Sequence, residues 1–177
     1  MFGLNKYLNN TVINNKSNYT LILGLTPSQG ARSPKLWNKV YKKINSKCRM
    51  YPADVSVQNL KNLIKYLKVD RKFKGGSITA PYKEEILKYL DIVDLTAKRI
   101  GSVNTIVKKK EKLIGFNTDY YGALSIIRNI NLKKNILIFG AGGASKAVIL
   151  ALMKKFKNCN YYFYNRNSAK FNFLKKF

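Results

Sequence analysis

The 177-residue chain contains no histidine, only eight acidic residues and two cysteines. Without histidine, imidazole metal sites and imidazole acid–base chemistry are excluded, so a proton donor must be Lys, Tyr, Cys or a carboxyl group. Cys48 and Cys159 form no metal or redox spacing, which fits a reducing, cytoplasmic compartment. No apolar run approaches the ~20 residues of a membrane span, and residues 1–18 are too polar for a secretory signal, so we expect no membrane partner.

The scarcity of acids leaves a net charge of +26, which should attract anionic ligands. A nucleic-acid binder would also be this basic. The 28 Lys and 6 Arg are, however, spread along the whole chain rather than gathered into one patch, so we expect no nucleic-acid partner. The run at residues 108–110 falls where a hairpin turn is predicted, and a solvated turn is its simpler interpretation.

A glycine-rich turn follows a short apolar run near the end of the chain. Residues 136–139 read as a buried strand, and helical spacing begins directly after Gly140, Gly142 and Gly143. This order predicts a pyrophosphate site, because the glycines allow a tight turn and a close backbone approach, and a helix N-terminus favours negative charge. A plain packing turn is the alternative, since Ser145 replaces the third glycine of the dinucleotide pattern.

A second apolar run at residues 160–164 follows one helix later and completes a βαβ unit. Where NAD-binding proteins usually carry an acidic residue, the chain has Arg166, with Lys170 nearby. Cations there suit a 2′-phosphate, which favours NADP (NADPH) over NAD, although two cations in so basic a chain could also be incidental. The predicted cofactor contacts are Gly140, Ala141, Gly142, Gly143, Ala144, Asn165, Arg166 and Lys170.

Strands and helices alternate through the rest of the chain. Strands are predicted at residues 19–25, 49–55 and 75–78, and a hairpin at 103–108 with 113–117. Helices are predicted along 94–100 and 121–130, and two more are indicated by apolar faces at positions 60, 63, 64 and 67 and at positions 86, 87 and 90. Ser33 is predicted to cap a helix that starts at Pro34 and has Leu36, Trp37, Val40, Tyr41 and Ile44 on its apolar face. The pattern predicts an α/β fold: a three-layer α/β substrate-binding lobe at residues 1–118, then the first half of a Rossmann-type dinucleotide-binding domain at 119–177.

Six short motifs occur in a fixed order along the chain. They are Gly24 with Ser33-Pro34, Thr79-Ala-Pro-Tyr-Lys83-Glu84, Ser102-Val-Asn104-Thr105, Asn117-Thr-Asp119, Gly140-Ala-Gly-Gly-Ala144 and Asn165-Arg166. In this order, over residues 19–170, the chain resembles the shikimate dehydrogenase family. The resemblance implies NADPH-dependent reduction of 3-dehydroshikimate to shikimate in chorismate and aromatic amino acid biosynthesis, with a cyclic hydroxy or keto acid as the small-molecule partner.

The resemblance also assigns roles to individual residues. Lys83 matches the catalytic lysine and Asp119 its partner, Thr79 and Asn104 match residues that hold the substrate's hydroxyls, and Ser33 matches a residue that holds its carboxylate. Chemistry agrees: ketone reduction needs a proton at the oxygen, and a lysine ammonium kept charged by a carboxylate can supply it. The alternative for Lys83 is an ordinary lysine in the first turn of a helix.

Some features depart from the family pattern. Ala31 replaces a carboxylate-binding serine, Ser77 an asparagine and Tyr120 a glycine, and these changes surround the substrate, as in shikimate dehydrogenase-like paralogues. The second dinucleotide half and the family's final helical segment have no counterpart before Phe177. We therefore expect either a homodimer or a complementing C-terminal fragment as partner. The alternative function is a truncated or divergent family member that binds ligand without turnover.

Overall fold

The computed structural model describes residues 3–9, 11–14, 17–131 and 135–176. The strands are β1 Tyr19–Gly24, β2 Arg49–Asp54, β3 Phe73–Ile78, β4 Ile92–Val93, β5 Thr105–Lys109, β6 Lys112–Phe116, β7 Asn135–Phe139 and β8 Asn160–Tyr164. The α-helices are α1 Ser33–Lys43, α2 Val57–Val69, α3 Tyr82–Glu85, α4 Leu95–Ile100, α5 Thr118–Ile127 and α6 Gly143–Lys155. Short 3₁₀ segments lie at Leu4–Tyr7, Pro27–Gln29, Ile86–Tyr89 and Ser168–Lys176. Within the described ranges, no helix has the length and hydropathy required to cross a membrane.

The chain forms two compact units, and the predicted α/β class is confirmed. The first unit contains Met1–Asp94 and Val103–Phe116, and the second contains Leu95–Ser102 and Asn117–Phe177. The predicted domain limits, 1–118 and 119–177, stay a prediction. In the first unit a six-stranded mixed sheet has the order β2-β1-β3-β5-β6-β4. Its β2-β1-β3 and β6-β4 pairs are parallel, whereas β3-β5 and the predicted hairpin β5-β6 are antiparallel.

Helix α2 buries the four leucine and isoleucine side chains at positions 60, 63, 64 and 67, as its spacing predicts. The Ser56 hydroxyl caps its first turn by accepting the Asn59 N–H at 3.3 Å. Its C-terminal end is tied to the sheet, because the Tyr19 hydroxyl donates to Asp70 at 2.5 Å. Burial and the neighbouring Asp70 raise the pKa of the Tyr19 hydroxyl, so it remains a hydrogen-bond donor.

Lys108 corrects the interpretation of residues 108–110 as a solvated turn. Its Nζ donates to the carbonyl oxygens of Leu67 at 3.0 Å and Asp70 at 2.7 Å, which lie at the end of α2. Burial lowers the pKa of this ammonium, although the site still favours a cation because the C-terminal carbonyls of a helix carry partial negative charge. Lys110 does occupy the hairpin turn, with a φ of 56°.

Helix α1 starts one residue earlier than predicted. The carbonyl of Arg32 accepts the Leu36 N–H at 3.2 Å, and Arg32 already has helical angles, with φ −79° and ψ −24°. Ser33 therefore lies inside the helix, and the prediction that Ser33 is its N-cap is wrong. The position of Pro34 did not settle the start, because the N–H groups of the whole first turn have no partner inside the helix and proline is therefore tolerated at its second position too.

The apolar face of α1 is largely exposed to solvent. Leu36 is 63% exposed, Trp37 47%, Val40 45% and Ile44 64%. Helix α1 instead packs through polar groups: the Asn38 amide donates to the Met50 carbonyl at 3.0 Å and accepts the Met50 N–H at 2.7 Å. These four large side chains form an exposed apolar stripe along α1, the kind of surface that often marks an interaction site.

The outer edge of β2 is closed by hydrogen bonds. The Asn38 amide forms hydrogen bonds with both outward-facing backbone groups of Met50, and Pro52 has no N–H group. The Asp54 N–H donates to the Thr11 hydroxyl at 3.2 Å, and its carbonyl accepts the Asn9 N–H at 2.9 Å. Because edge strands pair through free backbone groups, this strand is a poor template for adding another strand.

In the second unit β7 and β8 pair in parallel and α6 connects them, as predicted. The core of this unit contains Ile136 and Ile138 from β7 together with side chains of α4, α5 and α6. The alternate residues Leu137, Phe139, Tyr162 and Tyr164 are exposed on the opposite face of the two-stranded sheet. This unit therefore packs helices on one face of its sheet, and the other face presents aromatic and aliphatic side chains to solvent.

We predict that Lys108→Ala lowers the free energy of unfolding by about 1–2 kcal/mol, because two helix-terminal carbonyls lose a cationic donor. Lys109→Ala is the matched control. Lys109 is the exposed neighbour of Lys108, so its loss should change the free energy of unfolding by less than ~0.5 kcal/mol. Urea unfolding measured by circular dichroism compares the two variants. Equal losses in both would show that the Lys108 bonds contribute nothing particular.

Candidate active site

The carboxyl ends of β1 and β3 meet at Thr79. The Thr79 N–H donates to the Leu23 carbonyl at 2.8 Å, and the Leu25 N–H donates to the Ala80 carbonyl at 3.3 Å. A Cβ on Gly24 would lie 2.4 Å from the Thr79 methyl group, far inside van der Waals contact. Glycine at position 24 therefore permits the segment after β3 to cross directly over the end of β1.

Asn104 and Lys83 join the same cluster through backbone bonds. The Ile78 N–H donates to the Asn104 carbonyl at 2.8 Å, and the Val103 N–H donates to the Lys83 carbonyl at 2.7 Å. The Asn104 side chain is 8% exposed and accepts the Thr105 hydroxyl at 2.9 Å, whereas Lys83 is half-buried. The structure thus places Thr79, Lys83 and Asn104 on adjoining segments of the first unit.

Tyr82 anchors this cluster, a role that sequence reasoning missed, because its only local signal is a large aromatic residue between Pro81 and Lys83. Its ring is 1% exposed, and its hydroxyl donates to the Val55 carbonyl at 2.5 Å. Burial raises the pKa of the Tyr82 hydroxyl and keeps it a donor. This bond fixes the start of α3, and with it the backbone of Lys83, to the segment that follows β2.

Ser33 and two of the departures from the family pattern also lie in the first unit. Ser33 is the first residue of α1 and is half-buried. Ala31 lies two residues earlier, and its N–H donates to the Pro27 carbonyl at 3.0 Å. Ser77 lies within β3, paired with Ile22 on one side and with the strand β5 on the other. The loop at residues 25–32 thus connects the end of β1 to Ser33 at the start of α1.

Asp119 lies in the second unit, in the first turn of α5. Asn117 caps that helix: its side-chain oxygen accepts the Tyr120 N–H at 3.3 Å, and its amide donates to the Ser102 carbonyl at 2.9 Å. Tyr120, where the family pattern has glycine, is 8% exposed and belongs to the core of this unit. Because Asp119 and Lys83 belong to different units, their pairing stays a prediction.

The glycine turn before α6 has the geometry that phosphate binding needs. Gly140 adopts a φ of 90°, which favours glycine. The space beside Gly142 is open, since among the described residues beyond its chain neighbours and its own helix no atom lies within 4 Å of where a Cβ would be. Gly142 is the N-cap of α6 and has no side chain to accept the first N–H groups of the helix. An anion could therefore accept them.

A single bond places this turn beside the end of β8. The Gly140 N–H donates to the Tyr164 carbonyl at 2.9 Å, so Asn165 and Arg166 follow directly beside the glycines. The Asn165 amide donates to the Asn167 carbonyl at 2.7 Å and shapes this corner, and Arg166 is exposed. Ala141 is buried behind the turn, and Gly143 and Ala144 open α6. The side chain of Lys170 lies outside those that the structure describes.

Comparison with known proteins agrees with this arrangement. A family model described as the shikimate dehydrogenase substrate binding domain matches residues 26–106. A shikimate dehydrogenase (NADP(+)) of Methanosphaera stadtmanae is 44% identical over 140 residues, which are 77% of this chain and 49% of that protein. The chain spans about half the length of the curated relatives it matches.

Solved structures show the same likeness. The crystal structure of shikimate dehydrogenase from Aquifex aeolicus matches with a TM-score of 0.80 and 33% identity, over 93% of this chain and 62% of that one. The enzyme from Thermus thermophilus, solved with NADP(H) and shikimate, matches with a TM-score of 0.74 and 30% identity, over 86% of this chain and 57% of that one.

The fold and these matches define an α/β protein with an N-terminal substrate-binding domain and a Rossmann-like part. The chain belongs to the shikimate dehydrogenase family.

We predict that Tyr82→Phe lowers the free energy of unfolding by about 1–2 kcal/mol, because the buried Val55 carbonyl loses its donor. Tyr89→Phe, in the adjoining 3₁₀ segment, removes a hydroxyl bond to Glu85 that lies nearer the solvent and should cost less than ~0.5 kcal/mol. Chemical denaturation of both variants makes the comparison. A neutral Tyr82→Phe would mean that ring packing alone holds α3.

Proposed function

We propose that this chain supplies the substrate-binding part and the first nucleotide-binding segment of an NADP-dependent oxidoreductase of the shikimate dehydrogenase type. The reaction is the reduction of 3-dehydroshikimate to shikimate. The observation that carries the proposal is the cluster of Thr79, Lys83 and Asn104 at the carboxyl ends of β1 and β3. Curated relatives that are 36–44% identical and are named shikimate dehydrogenase (NADP(+)) support the same chemistry.

Substrate binding uses side chains whose backbones are already fixed. The Thr79 hydroxyl and the Asn104 amide are suited to the ring hydroxyls, since each can donate and accept a hydrogen bond. Ser33 lies in the first turn of α1, where a hydroxyl and the helix N-terminus both favour a carboxylate. Ala31 contributes no hydroxyl, so the carboxylate has one donor fewer than the family pattern provides.

Proton transfer is assigned to Lys83. As hydride reaches the carbonyl carbon, the C=O π bond breaks and the oxygen takes a proton from the Lys83 ammonium, which becomes a neutral amine and is reprotonated by solvent. Asp119 is proposed to hold the ammonium charged and oriented, because a nearby carboxylate favours the cationic form. Its other role is to accept a hydrogen bond from the substrate.

The nucleotide is proposed to bind at the glycine turn and the Arg166 corner. Bound NADPH would supply the hydride. The backbone N–H groups that begin α6 would hold its pyrophosphate, and Arg166 would hold the 2′-phosphate. Lys170, one turn further along the chain, is proposed to add to this positive charge. The open space beside Gly142 supports this assignment, since a side chain there would block the phosphate.

We propose further that the chain works with a second polypeptide, either another copy or a segment with the rest of the family's dinucleotide-binding domain. The exposed apolar stripe on α1 and the exposed face of β7 and β8 support such a partner. A cytoplasmic compartment is part of the proposal, supported by Cys48 and Cys159, which form no disulfide in the described part of the chain.

The function is tested by NADPH oxidation with 3-dehydroshikimate and by calorimetric binding of shikimate. We predict that, in any active and complete form of the protein, Lys83→Ala lowers turnover about 10²- to 10⁴-fold and leaves shikimate binding largely intact, because it removes only the proton donor. Lys88→Ala, an exposed lysine paired with Glu85, is the control and should keep full turnover. Shikimate binding without turnover, both in the unaltered chain and in a chain extended with the rest of the dinucleotide-binding domain, would favour the alternative of a non-catalytic family member, and no binding would overturn the proposal.

Cofactor choice is tested at Arg166. We predict that Arg166→Ala weakens NADPH binding about 10- to 100-fold and scarcely changes NADH binding, because only NADPH carries the 2′-phosphate that a charge-assisted bond would hold. Lys157→Ala, an exposed cation just beyond the other end of α6, controls for the loss of one positive charge. Parallel losses for both nucleotides in Arg166→Ala would assign that residue to the fold instead.

A further inference from the structure

Asp54 is a carboxylate with no exposed surface, in a chain with only eight acidic residues. Burying a charge is costly unless hydrogen bonds replace its water. Here both side-chain oxygens are used by one residue: Oδ1 accepts the Ser28 N–H at 2.8 Å, and Oδ2 accepts the Ser28 hydroxyl at 2.5 Å. Asp54 has no part in the proposed substrate contacts, proton transfer or nucleotide binding, so its burial needs another explanation.

Ser28 lies in the 3₁₀ turn Pro27–Gln29 of the loop that follows β1. Such a turn needs an acceptor for its first N–H groups, and the Thr26 side chain at the N-cap makes no such bond. Asp54, on a neighbouring strand, supplies that acceptor. Because Ala31 then donates to the Pro27 carbonyl, the whole loop up to α1 is built on the turn that Asp54 holds.

Asp54 is itself held rigidly. It ends β2 directly beside Gly24 of β1, and the Val55 N–H donates to the Gly24 carbonyl at 3.0 Å. Its own backbone is bonded to Thr11 and Asn9 of the N-terminal segment. A loop bonded to such a residue has little freedom to move, since any displacement would leave a buried carboxylate without its donors.

We propose that Asp54 is a positioning residue: it fixes the loop at residues 25–32, and through it Ser33, in the geometry that receives the substrate's carboxylate. This inference rests on the proposed function. Asp54 acts through Ser28 and not on the substrate, because its own negative charge would repel a carboxylate and both of its oxygens are already engaged. What matters is therefore the pair of hydrogen bonds, not the charge.

The substitutions Asp54→Ala and Asp54→Asn separate these roles. Alanine removes both acceptors, whereas the asparagine oxygen can still accept the Ser28 N–H and its amide can donate to the Ser28 hydroxyl. We expect Asp54→Ala to speed amide exchange at residues 28–33 at least about tenfold without ligand, with the amides of β1 unchanged, and to weaken shikimate binding at least about tenfold. In Asp54→Asn, amide exchange at residues 28–33 and shikimate binding should both stay within about threefold of the unaltered chain.

Asp91→Ala is the matched control, since Asp91 also accepts a backbone N–H, from Leu113 at 2.8 Å, and pairs with Lys68. Equal weakening of shikimate binding by Asp91→Ala would show general destabilisation and overturn the proposal, as would unchanged loop exchange in Asp54→Ala. If Asp54→Ala does not fold, Ser28→Ala serves instead, with faster loop exchange expected. An unaltered chain that fails to bind shikimate would overturn the proposed function, and loop exchange would still decide whether Asp54 holds the loop.

Discussion

The close approach of the chain at the ends of β1 and β3 is the constraint on which the candidate site depends. The Thr79 N–H donates to the Leu23 carbonyl, and a side chain on Gly24 would force this crossing to shift, because its Cβ would lie 2.4 Å from the Thr79 methyl group. After that crossing the chain enters α3, where the Tyr82 hydroxyl donates a hydrogen bond to the Val55 carbonyl. The position of the Lys83 backbone is thus fixed by the bonds of Thr79 and Tyr82 before it and by its own carbonyl, which accepts the Val103 N–H at 2.7 Å.

In the first unit, hydrogen bonds occupy the backbone groups at the outer edge of β2 and at the C-terminal end of α2. The outward edge of β2 is closed by Asn38, Pro52 and the contacts of Asp54, and the end of α2 is closed by Lys108. These two places therefore offer few free backbone groups to another polypeptide, so association would rely on exposed apolar side chains. The exposed stripe on α1 and the exposed face of β7 and β8 are such apolar surfaces. The stripe is exposed because α1 contacts the sheet through Asn38, and the sheet face is exposed because the helices of the second unit pack on the other face.

Charge is distributed unevenly with respect to the two candidate binding regions. Asp119 is the sole acidic residue among residues 95–102 and 117–177, whereas seven of the eight acids lie in the first unit. A region with so few carboxylates keeps a positive potential around its glycine turn, which favours a phosphate-bearing ligand over a neutral one.

The sequence by itself determined the elements and the motif positions. The strands β1, β2, β7 and β8, the buried face of α2 and the hairpin of β5 and β6 follow from periods of 2 and 3.6 residues, because those signals are local. Gly140 was identifiable for the same reason, since its turn is encoded within a few residues, whereas Gly24 was identified only as part of a family motif. The family resemblance likewise rests on short motifs that can be read in order.

Tertiary structure alone decided which side chains hold those elements in place. Lys108 caps a helix 38 to 41 residues away, Asp54 caps a turn 26 residues away, and Tyr82 bonds a carbonyl 27 residues away. It also decided that α1 faces the sheet with Asn38 and leaves its apolar stripe in solvent, and that Arg32, not Ser33, is the N-cap of α1. No local pattern encodes these outcomes, because a hydrogen bond between distant segments depends on where the folded sheet brings their ends together.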